Sequence, residues 1–107
     1  MERTELYKVV EQKIAEIEAE LKRLKRWTNG ELAPEKFENM GAFGINTMTI
    51  EQWIQFVLIP RVREIIAEQG DFPADSQVGT YAMRNLDGDD EAGQLVTLLC
   101  EFDSLFG

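Results

Sequence analysis

The apolar positions along this chain recur with helical spacing in four separated segments. Tyr7, Val10, Ile14, Ile17, Leu21 and Leu24 alternate steps of three and four, the heptad seam of an amphipathic helix over residues 3–27. Glu18 and Lys22 face each other one turn apart in the favourable order. A second helix is expected over 49–69. Thr49 and Gln52 have capping-box spacing, Met48 and Trp53 are placed as its hydrophobic staple, and Gly70 supplies the stop. Val78, Tyr81, Ala82 and Leu86 mark a shorter helix at 76–86, with Asp71 or Asp75 as caps and Gly79 as a local cost of about 1 kcal/mol against alanine. Leu95, Leu98, Leu99, Phe102, Leu105 and Phe106 mark the last helix, at 89–106. No segment alternates with the period of a strand. The predicted fold is therefore all-α: a small four-helix bundle forming one domain over residues 1–107.

Two segments break the regular pattern. Residues 28–48 hold three glycines and a proline and have no sustained period, yet Leu32, Phe37, Met40, Phe43, Ile45 and Met48 are too apolar for a solvated linker. An ordered loop wrapped over the helices is expected, and such loops often carry function. The second helix has two apolar stripes. Ile50, Trp53, Ile54 and Val57 form one; Leu58, Ile59, Val62, Ile65 and Ile66 form another, rotated by roughly a third of a turn. Pro60 lies at the changeover and lacks an N–H, so a proline-kinked helix with each half packing on different neighbours is predicted. Phe56 falls on neither stripe. Arg61 stands where the first stripe called for an apolar residue; it is either paired beneath the loop, with Glu64 or a carbonyl, or faces a partner.

Composition narrows the chemistry. The chain has 20 acidic and 11 basic residues, a net charge of −9, and all of the excess lies beyond residue 26. Such a body repels phosphates, so direct nucleic-acid binding is not expected, while a basic protein partner suits it. Lys22, Arg23, Lys25 and Arg26 complement the carbonyl end of the first helix. There is no histidine, which removes the commonest general base and metal ligand. The single cysteine, Cys100, sits among leucines and reads as a packed thiol. Asp87, Asp89 and Glu91 begin a calcium-loop register, but Ala92 stands where its glycine belongs and Leu98 where its glutamate belongs. Neither a catalytic set, a cofactor nor a metal site is expected. The longest apolar run cannot span a bilayer, the first residues lack a signal-peptide core, and a cytoplasmic location is expected.

The run Thr47, Met48, Gln52, Trp53 and Val57 to Arg61, with Trp27, Pro34 and Phe37 before it and "LLCEFDSLF" after it, resembles the YqcC-like family of small bacterial proteins. The resemblance covers most of the chain, with "VGTYAMRNL" matching least. It implies a small all-α bundle and carries no catalytic residue or cofactor. Some members of that family are encoded beside, or named after, a tRNA pseudouridine synthase. This chain has neither the length nor the strands for that catalytic fold, so the resemblance implies at most an accessory role.

Three functions compete on this reading. The first is a non-enzymatic interaction protein, with Phe43, Met48, Trp53, Phe56 and Arg61 lining a partner surface between the 40s loop and the second helix. The second is a small-molecule-binding bundle or cryptic enzyme using the same concavity, with Arg61 for an anionic group. The third is self-association through the first-helix seam; a monomer or weak homodimer is expected. An exposed aromatic patch favours the first, an enclosed pocket around a buried arginine the second, and an open seam the third.

Overall fold

The computed structural model describes residues 2–106, so Met1 and Gly107, the ends of the expected 1–107 domain, lie outside it. Helix α1, Arg3–Arg23, carries the heptad seam into the centre of the molecule, with Val10, Ile14, Ile17 and Leu21 fully buried. Its end falls short of residue 27 because Lys25 adopts a left-handed conformation. The Lys25 N–H then bonds to the Lys22 carbonyl and the Arg26 N–H to that of Leu21, a Schellman closure made without glycine.

Helix α2 is a continuous helical run over residues 50–68. It consists of Ile50–Trp53, a π-helical turn at Ile54–Leu58, and Ile59–Glu68. The capping box forms as expected, with the Gln52 N–H on the Thr49 hydroxyl at 3.1 Å and the Thr49 N–H on the Gln52 side chain at 3.0 Å. The departure from regular helix expected at Pro60 is this π turn. The Ile59 N–H reaches back five residues to the Ile54 carbonyl. One extra residue advances the helix surface by about 100°, close to the offset between the two stripes. Both stripes therefore face one core rather than different neighbours: Ile50, Trp53, Ile54 and Val57 are buried in the same cluster as Leu58, Ile59 and Val62. Gln69, not Gly70, takes the left-handed position that ends the helix.

Helix α3, Val78–Asn85, and helix α4, Gly93–Ser104, pack against each other, and α4 also packs along α1. The expected caps Asp71 and Asp75 do not serve α3. Asp71 pairs with Arg3, and the amino end of α3 is closed by Asp103 from α4. A 3-10 turn, Asp90–Ala92, precedes α4. No strand occurs among the described residues, and no helix there is long and apolar enough to cross a membrane.

Basic residues at the end of α1 tie elements together. Arg26 bridges Glu51 at the start of α2 and Asp89 before α4, at 3.1 and 2.8 Å. Lys22 reaches Glu18 at 2.8 Å and lies 5.1 Å from the centre of the Trp27 ring. Arg23 holds the buried Glu20, and its hydrogen bonds keep that carboxyl below the usual carboxylate range.

Candidate functional site

The long connection between α1 and α2 is pinned at several points. Gln55, buried inside the π turn, exchanges two hydrogen bonds of 2.8 Å with the backbone of Thr28, which holds the start of the loop to α2. Pro34–Phe37 forms a 3-10 turn, and the Thr47 hydroxyl donates to the Lys36 carbonyl. The Asn46 side chain donates to the Asn39 carbonyl at 3.1 Å, and its N–H to Met40 at 2.9 Å. These bonds close the loop on itself.

At the turn from Gly41 to Gly44 the chain passes close beneath Met48 and Trp53. A Cβ on Gly44 would lie 2.5 Å from the Met48 side chain and 3.1 Å from the Trp53 ring, and its φ of +71° also calls for glycine. Phe43 between them has a φ of +56°, a conformation that costs a bulky side chain about 1–3 kcal/mol. Aromatic contacts hold it there. Its ring stacks on Tyr81 at 4.5 Å and meets the edge of Trp53 at 5.2 Å.

Behind this aromatic arch lies a cleft of about 320 Å³. Phe43, Trp53, Val62 and Phe102 line it, with Arg61 and Asp75 among its polar residues. Arg61 and Asp75 are exposed and so stand at its mouth. Of the five residues expected at a site, the structure thus brings together Phe43, Trp53 and Arg61. Met48 packs half-buried against the core, next to Gly44, and does not line the cleft. Phe56 is half-buried and belongs neither to the cleft nor to the hydrophobic cluster. The paired arrangement considered for Arg61 does not form. Among the described residues it makes no ion pair with Glu64 or any other acid, and it is exposed rather than covered by the loop.

Because Phe56 lies outside the cluster, Phe56→Ser is expected to cost about 1 kcal/mol. That is well below the roughly 3–5 kcal/mol of a core phenylalanine truncation. Urea denaturation of the variant measures this, and a loss of several kcal/mol would place Phe56 in the core.

Two loop residues apolar enough to predict packing against the helices stand out of them instead. Phe37 is 39% exposed and Ile45 is 60% exposed, both on the pinned loop. Phe72, Asp75 and Phe102 of the cleft were not singled out as site residues. They come from the turn after α2 and from α4, and only tertiary packing brings them to Trp53. Cys100 is half-buried, and burial, reinforced by Asp103, pushes its thiol above the ordinary range. Among the described residues no three His, Cys, Asp or Glu side chains converge to hold a metal ion.

Fold and geometry together define a small all-α protein of four helices, with a hydrogen-bonded aromatic loop arched over a cleft. Residues 9–105 match the family described as tRNA pseudouridine synthase C (DUF446), and the chain belongs to that family. It is 31% identical over 91 residues to an uncharacterized Escherichia coli protein, YqcC, covering 84% of each chain. It is 27% identical over 94 residues to an uncharacterized protein of Haemophilus influenzae, covering 88% of this chain and 89% of the other. The solution NMR structure of E. coli YqcC superposes with a TM-score of 0.84 at 27% identity, over 94% of this chain and 87% of that one.

Proposed function

We propose that this chain is a non-catalytic accessory protein that docks its 40s loop on a basic surface of a tRNA-modifying enzyme of the pseudouridine synthase class. The observation that carries the reading is the exposure of Phe37 and Ile45 on a loop that its own hydrogen bonds hold in shape. A preformed loop loses little entropy on binding, and large apolar side chains exposed on it are suited to anchor an interface. The same segment carries Glu31, Glu35 and Glu38, with Lys36 as its one base between residues 28 and 48. An enzyme that handles tRNA carries basic surface for phosphates, which such a loop complements. The family's description supplies the enzyme class. Docking on such a partner would take place in the cytoplasm, the location expected from the sequence. The first-helix seam is occupied by the core, which leaves the loop as the better docking surface.

The test is calorimetric titration of the purified chain with the tRNA pseudouridine synthase C of the same organism. A saturable complex is expected that weakens as salt rises. Replacing Phe37 and Ile45 together by serine should weaken it more than about tenfold while leaving the melting temperature nearly unchanged. No complex at low salt, or a complex indifferent to both substitutions, would contradict the proposal.

A further inference from the structure

The cleft behind the loop shares Phe43 with it but contains neither Phe37 nor Ile45, and its chemistry points to a different occupant. Its volume of about 320 Å³ lies at the lower end of small-molecule sites, enough for one bulky apolar group and a short polar head. Its two charged lining residues are opposite in sign, Arg61 on α2 and Asp75 in the turn before α3. Among the described residues they pair neither with each other nor with any other side chain. Among the described residues Arg3, Arg23, Arg26 and Arg63 reach carboxylates while Arg61 and Arg84 do not, and of these two only Arg61 lines the cleft.

We propose that this cleft binds a free apolar α-amino acid, its carboxylate on the Arg61 guanidinium, its ammonium facing Asp75, and its side chain against Phe43 and Trp53. A guanidinium presents a planar fork that matches a carboxylate with two parallel hydrogen bonds. The aromatic lining buries an apolar side chain, and the strained Phe43 is already fixed in place by Tyr81 and Trp53 before any ligand arrives. Net charge decides between ligands. A body at −9 opposes the approach of a simple carboxylate, whereas a zwitterion carries no net charge and meets a complementary group at each end.

Calorimetric titration with L-phenylalanine and L-leucine tests this. Two analogues accompany them: N-acetyl-L-phenylalanine, which lacks the ammonium, and L-phenylalanine amide, which lacks the carboxylate. Saturable one-to-one binding of the free amino acids is expected, with each analogue weaker by about tenfold or more, the size of a lost charged hydrogen bond. Arg61→Gln should weaken L-phenylalanine by a similar factor and leave the amide unchanged; Asp75→Asn should do the same with respect to the N-acetyl compound. Both side chains are exposed, so both variants should fold, which their melting temperatures check. No saturable binding of either amino acid at millimolar concentration overturns the proposal. So does equal binding of the charged and charge-deleted compounds. Synthase binding reads on Phe37 and Ile45 instead, so the two proposals fail separately.

Discussion

Gly79→Ala is expected to destabilise the fold by about 2–3 kcal/mol, although alanine is the better helix former by roughly 1 kcal/mol. A Cβ at residue 79 would lie 2.7 Å from Cys100 Cα, N and Sγ alike. Two of those atoms are backbone, so no rotamer change relieves the clash, and α3 and α4 must separate along their whole contact. For a domain of this size the melting temperature should fall by roughly 10–20 °C. Gly93→Ala is the control: nothing lies within 4 Å of a Cβ there, and its backbone needs no glycine, so stability should hold or rise slightly. Thermal denaturation of both variants checks the pair. An unchanged melting temperature for Gly79→Ala would show that the two helices are not in backbone contact.

The second large effect is expected at Asp103. Its carboxylate accepts the Val78 N–H at 3.1 Å, the Gly79 N–H at 2.7 Å and the Ser76 hydroxyl at 2.5 Å. Gln77, the residue at the cap position of α3, contributes no side-chain bond of its own. Asp103→Ala thus leaves two helix-end N–H groups without acceptors in a half-buried place and removes a negative charge from a helix amino end. The expected loss is about 2–3 kcal/mol. Asp103→Asn keeps one acceptor oxygen and should lose about half as much. Residues 79 and 103 serve the same helix contact, so the Gly79→Ala, Asp103→Ala double variant should lose less than the two single losses combined. Urea denaturation of the three variants measures this. Strict additivity would mean that the cap and the close approach are independent.

What was legible in the sequence and what was not divides by the distance over which the physics acts. The Thr49–Gln52 capping box and the Glu18–Lys22 pair close within one turn, and both form as expected. Gly79 read as a local helix defect because its reason, Cys100, lies 21 residues away and on another helix. Asp71 and Asp75 had the right spacing for caps, yet a carboxylate from α4 takes that role. The two stripes of α2 are visible in the sequence, where their offset at Pro60 reads as a proline kink. A π turn leaves the same offset in the side-chain spacing, and only the backbone bonds distinguish the two. The candidate site followed the same rule. Phe43, Trp53 and Arg61 are legible as aromatic and arginine anchors on the 40s loop and the second helix, whereas Phe72, Asp75 and Phe102 join them only through the packing of the carboxy-terminal half. Hydrophobicity marked the whole 40s loop as ordered, but it carries no information on which apolar residues, Phe37 and Ile45 here, are left outside.

Hydrogen–deuterium exchange of this chain with and without the tRNA pseudouridine synthase C of the same organism tests the docking proposal most directly. Slowed exchange is expected across residues 31–47, with α1 and the carboxy-terminal half of α4 unchanged. Unaltered exchange in that loop, or protection centred on α1, would contradict it.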